Sequence, residues 1–134
     1  MKLIILFILT VPILMQAQDL KKHQWKHRII LVSSADFDNK KAQQQLQLLQ
    51  DELTGLQDRK LKIYHITNQG YSTDFGEEII VSKSSNTENN SFSVSLIGLD
   101  GTEKDSFNSP QIATVFFRLI DQMPMRRSEI KNRD

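Results

Sequence analysis

A chain of 134 residues with 17 basic and 16 acidic side chains holds one small domain and lacks the basic excess that marks a nucleic-acid footprint. With no cysteine, it has no thiolate catalysis, no dithiol redox chemistry, no lipobox acylation and no disulfide staple. Its stability must come from a packed core, which a domain of this size can build.

The first eighteen residues, MKLIILFILTVPILMQAQ, set one lysine before an apolar run from Leu3 to Met15, with the small residue Ala17 after it. That is the layout of a secretory signal peptide; the run falls short of the roughly 20 residues a membrane span needs, and Pro12 interrupts it. We expect cleavage after Ala17, export to the periplasm or the extracellular space, and no stable membrane anchor afterwards; an uncleaved amphiphilic anchor is the alternative. Lys2 leaves with the leader, so acidic and basic residues then balance. The expected divisions are a leader at 1–17, a polar lead-in at 18–24, a domain at 25–130 and a tail at 131–134.

The lead-in DLKKHQWKH, 19–27, is polar apart from Leu20 and Trp25, and the tryptophan is expected to anchor it by packing. RIILVSS, 28–34, is a continuous aliphatic run bounded by polar residues, the pattern of a central strand buried on both faces. ADFDNK then turns the chain into KAQQQLQLLQDELTGLQDRK, where Leu46, Leu49, Leu53 and Leu56 recur at helical spacing. This predicts one amphipathic helix, with Asp38 or Asn39 as N-cap and Gly55 near its end. LKIYHIT, 61–67, alternates and is rich in β-formers, which completes a right-handed parallel βαβ unit.

Residues 68–90 are the least regular stretch, with a short helix or strand around Ile79 to Val81 and a polar loop tip, SSNTENNS. A strand at 92–97, an Asp100-Gly101 turn and a return strand near 103–107 form a hairpin. Ser109-Pro110 supplies a helix start, and Ile112, Val115, Phe116, Leu119, Ile120 and Met123 continue as an apolar stripe. Pro124 is expected to stop this helix, leaving Arg126 and Arg127 near its carboxyl end, where the dipole favours cations. The order β, α, β, irregular insertion, β, β, α resembles the α/β thioredoxin-like fold: a βαβ half and a ββα half around one mixed central sheet with helices on its faces.

Two stretches carry a more specific likeness: WKHRIILVSS with the helix after it, and FSVSLIGLDGTEKDSF…LIDQMPMRRSEI at the end. They resemble a domain of unknown function shared by bacterial exported proteins and animal extracellular proteins such as the sushi-repeat-containing proteins, which has been proposed to be a peroxiredoxin-like thioredoxin fold. The Leu-Ile-Gly-x-Asp-Gly hairpin at 96–101 and the Ile-Asp-x-Met-Pro-Met-Arg-Arg ending at 120–127 are its most specific marks. The resemblance implies a fold and an extracellular setting, with no reaction attached. Redox members of the fold carry their cysteine after the first strand, at the helix opening; here SSADFDNKK, 33–41, stands there. Nor does a proline precede the strand beginning near Phe92, where such members carry a cis-proline.

Ser33, Ser34, Asp36 and Asp38 therefore form the loop equivalent to that active site, without an assigned catalytic role. A serine hydroxyl cannot replace a thiolate without a base, and coupling to His65 lacks the Gly-x-Ser-x-Gly elbow that would place it. Asp36 and Asp38 could hold a hard cation, but the pattern of a calcium loop is missing, and turn formation and capping account for them. Asp19, His23 and His27 at spacings of four could share a helical face as metal ligands; the lysine-rich context reads instead as a solvated lead-in. No metal site and no cofactor is assigned. Met123, Met125, Arg126 and Arg127 are the candidate partner-binding residues. The reading is a non-redox binding module of the bacterial envelope whose partner is an envelope or extracellular protein or a glycan. The alternatives are a peroxiredoxin-like relative with non-cysteine chemistry, and an extracellular adhesion or matrix module.

Overall fold

The computed structural model describes residues 20–80 and 91–133. The leader expected at 1–17, Asp19 and the SSNTENNS loop tip up to Asn90 lie outside them. In chain order the elements are β1 (Arg28–Ser33), α1 (Lys40–Gln50), α2 (Leu53–Asp58), β2 (Leu61–Ile66), β3 (Gly70–Thr73), β4 (Ile79–Ile80), β5 (Ser93–Ile97), β6 (Glu103–Phe107), α3 (Ala113–Asp121) and α4 (Pro124–Lys131). One mixed sheet runs in the order β4-β3-β2-β1-β5-β6. β1 and β2 are parallel, with Arg28 opposite Leu61 and Ser33 opposite Ile66, and every other neighbouring pair is antiparallel. A βαβ half and a ββα half thus share β1 and β5 as neighbours, which is the thioredoxin-like α/β arrangement.

Strand alternation decides the core. Ile30 and Val32 of β1, Leu61 and Ile63 of β2, and Val94 and Leu96 of β5 point to one face. There they join Ala42, Leu49, Leu56, Ala113, Phe116, Phe117 and Ile120 from α1, α2 and α3 in a single cluster. Ile29 and Tyr64 face the other way and are buried as well. The lead-in turn covers that side: His23 reaches the Tyr64 hydroxyl, and the Trp25 N–H bonds to the Leu99 carbonyl at 2.6 Å. Among the described residues no helix is long and apolar enough to cross a membrane.

Four local departures from the sequence expectation have physical causes. The single long helix is two: α1 closes at its C-cap Asp51, Glu52 leaves helical geometry (φ −125°, ψ 39°), and α2 restarts at Leu53, which is exposed although the leucine stripe included it. Gly55 does not end a helix but sits inside α2, where an added Cβ would lie 2.6 Å from the Phe117 ring; the glycine lets α2 and α3 approach. α3 begins at Ala113, not after Ser109: Ile112 before it is extended, and the buried Gln45 engages the backbone of Gln111, accepting its N–H at 2.7 Å and donating to its carbonyl at 2.9 Å. Trp25 is not an anchor: it is 63% exposed, in left-handed geometry at φ +68°.

The irregular stretch holds the extra strand β3 as well as β4 at the expected Ile79. Its turn is closed by Thr67, whose hydroxyl accepts from the Gln69 and Gly70 N–H groups. The β5–β6 hairpin forms as expected, with Gly101 at φ +81° in its turn. Asp100 accepts from the Lys104 ammonium at 2.8 Å and from the Thr102 N–H and hydroxyl, so its carboxyl titrates well below the usual range.

Candidate functional site

The parallel register brings the carboxyl ends of β1 and β2 together, with Val32 opposite His65. The Ser34 N–H continues the pairing by one step to the Ile66 carbonyl, at 3.1 Å. The two inward-facing series, Ile30, Val32, Ser34 and Leu61, Ile63, His65, therefore each end in a polar residue. Those two meet, with Ser34 Oγ 2.7 Å from His65 Nε2, and both are 2% exposed. The edge of the Phe37–His65 ring pair closes the site, at a centroid distance of 5.4 Å.

Proton bookkeeping sets what this pair can do. The Ser34 hydroxyl has one proton, and it donates to the Asp36 backbone carbonyl at 2.8 Å. The bond pattern then makes His65 the donor, with its proton on Nε2, the reverse of a base that activates a nucleophile. Burial lowers the pKa of His65, with only partial opposition from the Asp36 charge, so the ring is neutral at neutral pH. Asp36 and Asp38 are exposed, and Asn39 is the N-cap of α1, accepting from the Ala42 N–H at 3.0 Å. Ser33 is half-buried within β1, opposite Ser93 of β5.

The other expected group divides. Pro124 does not simply end a helix; it opens α4 as its first residue, the position proline tolerates, with Met123 extended before it. Arg126 and Arg127 thus occupy a first turn, where the dipole disfavours cations, and not a helix end. Arg126 is 2% exposed and is compensated by three carboxylates. It donates to Asp58 at 2.6 Å, to Asp121 at 3.2 Å and to Glu129 at 3.3 Å, and also to the Asp58 carbonyl. Burial works against its charge, but these bonds more than offset it, and its pKa is raised. Arg59 grips Asp121 with two bonds of 2.9 and 3.0 Å while its guanidinium lies 4.1 Å over the Phe117 ring. Arg28, also buried, reaches Glu129 at 3.2 Å.

The bond from Arg126 holds the Asp58 carboxyl below its ordinary pKa, and the bond from Arg59 does the same for Asp121. Arg126 is therefore an architectural residue tying α2, α3 and α4 together, and it leaves the partner-binding set. Met123 packs against the core, whereas Met125 and Arg127 are exposed.

The lead-in is folded, contrary to the solvated segment its composition implied. His23 and His27 are half-buried, with their Nδ1 atoms 3.2 Å apart, and His23 Nε2 lies 2.6 Å from the Tyr64 hydroxyl. His27 also lines a cleft of about 250 Å³ between this turn and the β5–β6 hairpin, with Leu20, Gln24, Ile29, Ile97 and Asp100. Among the described residues no group of three or more His, Asp or Glu is placed to hold a metal ion.

Comparison with known proteins yields one finding. The family described as "Domain of unknown function (DUF4174)" matches residues 19–129, so the chain belongs to that family. Neither a curated protein nor a solved structure matches it.

Proposed function

From membership of a family without an assigned activity, we propose that this chain is an exported, non-redox binding module of the bacterial envelope. The observation that carries the reading is Ser34: it stands where redox enzymes of this fold place their thiol, yet its hydroxyl is buried and committed to the Asp36 carbonyl. No side chain in the sequence can supply a thiolate. Export rests on the leader-like residues 1–17, and the animal extracellular relatives implied by the 120–127 motif agree with it. The partner is an envelope protein or a glycan, met by Met125 and Arg127 on the outer side of α4. Affinity capture with the purified protein against envelope proteins and glycans should retain a specific partner, and a Met125→Ala, Arg127→Ala double variant should lose it with the fold unchanged. A thiol-independent peroxidase or reductase activity would overturn the reading.

The second reading is an enzyme whose chemistry moved into the 33–38 loop; it needs the Ser34 hydroxyl to leave the Asp36 carbonyl and turn its proton to His65, 2.7 Å away. In that case an activity would exist that Ser34→Ala abolishes and that Asp36→Ala and Asp38→Ala reduce, with the circular dichroism of each variant unchanged.

A further inference from the structure

The lead-in turn presents its two imidazoles in a way that a hydrogen-bonded surface pair does not need. The His27 N–H bonds to the His23 carbonyl at 2.8 Å, Trp25 between them is in left-handed geometry, and its N–H is tied to Leu99. The two rings are thereby held one turn apart on a pinned segment and not on a fraying terminus. Their Nδ1 atoms, 3.2 Å apart, come close to the edge of a tetrahedral coordination sphere, about 3.3–3.4 Å for metal–nitrogen bonds of about 2.0–2.1 Å. The other nitrogen of His23 is engaged by the Tyr64 hydroxyl at 2.6 Å, the outer contact that fixes ring orientation in metal-bound histidines. Tyr64 is buried and stacked on Tyr71, with centroids 6.3 Å apart, so this outer contact is rigid.

We propose that His23 and His27 form an open site for a borderline divalent transition-metal ion of the Zn2+ and Cu2+ class, with Tyr64 as the positioning residue of His23. Imidazole pairs select this class over the hard Mg2+ and Ca2+ ions, and Cu2+ binds such nitrogen sites more tightly than Zn2+ does. The protein supplies two ligands; the remaining positions stay open to water, on a half-buried surface beside the cleft that His27 lines. The 3.2 Å contact is a hydrogen bond that uses one ring's Nδ1 proton, and a metal ion takes its place when that ring carries its proton on Nε2 instead. The nearby Lys22, Lys26, Lys60 and Lys62 repel a cation, and Asp74 partly offsets them, which sets the site as a moderate binder and not a structural zinc centre.

The chain has a single tryptophan, and it lies between the two histidines, which makes Trp25 a built-in reporter. Titrating the purified protein with Cu2+ should quench its emission saturably with a one-to-one end point, and excess Zn2+ should restore it. His23→Gln and His27→Gln should each move the midpoint by more than about tenfold, and Tyr64→Phe by about tenfold with the same end point. A parallel shift of the His23 and His27 ring proton signals on adding Zn2+ reads the same site without relying on a variant's folding. Quenching that stays linear in Cu2+, a midpoint unchanged in the His27→Gln variant, or ring signals indifferent to Zn2+ would overturn the proposal.

Discussion

The two ends of the parallel β1–β2 pair solve the burial of polar groups in opposite ways. At the carboxyl end, where enzymes of this fold do their chemistry, two neutral side chains, Ser34 and His65, satisfy each other under the Phe37 ring. At the amino end, Arg28, Arg59 and Arg126 meet Asp58, Asp121 and Glu129 in a partly buried ionic network. The 120–127 stretch belongs to the second end, where Asp121 and Arg126 fasten the last helix. At the carboxyl end the two polar groups are satisfied without any charge.

The sharpest way to break this contrast is Arg126→Ala. It removes the cation that three carboxylates share and should cost about 2 kcal/mol in urea unfolding through lost charge-assisted hydrogen bonds, while Arg133, Arg59 and Arg28 still pair Asp58, Asp121 and Glu129. The pKa values of Asp58 and Asp121 stand below their unfolded values, so the unfolded chain binds protons first on acidification. The stability they provide is present above about pH 4 and is lost as pH falls below it, a slope that Arg126→Ala should flatten.

Gly55→Ala tests the helix contact that holds the same end together. Overpacking against Phe117 should destabilise by about 1–2 kcal/mol after the helix-propensity gain, and adding Phe117→Leu should recover part of it. Ser34→Ala should cost about 1 kcal/mol by leaving His65 Nε2 unpaired, with any partner binding intact. His65 has a lowered folded-state pKa, so the stability it supplies above about pH 6.5 is lost as pH falls below that value. His23 and His27 share this direction, and His65→Gln should remove only its own part of the slope in a series of thermal midpoints. Arg127→Ala, at an exposed position, should change stability by no more than about 0.5 kcal/mol. A larger loss would mean that the network extends outward to the exposed side of α4.

Much of the fold was legible because it depends on local periodicity. The aliphatic run of β1, the alternation of β2, the Asp-Gly hairpin and the stripe of α3 each report their own element, and their order implies the sheet. Less of the site was legible. Ser34 and His65 were both visible as polar residues closing an alternating apolar series, but only the register of β1 on β2 brings them within 2.7 Å. Composition made the lead-in look solvated because five of its nine residues are lysine or histidine; nothing local announces that Tyr64, 41 positions after His23, completes a contact there.

By itself, then, the sequence determined the absence of thiol chemistry, the mixed α/β order of elements and the apolar faces that build the core, since all three depend on residue identity and near-neighbour spacing. Tertiary structure alone decided where the charges went. It turned Arg126 from a candidate surface contact into a buried tie, restarted a helix at Pro124, and set Gln45 against the Gln111 backbone ahead of α3. The physical reason is shared: a buried polar group must find its partners wherever the fold places them, and distances in space, unlike periodicities, are not written along the chain.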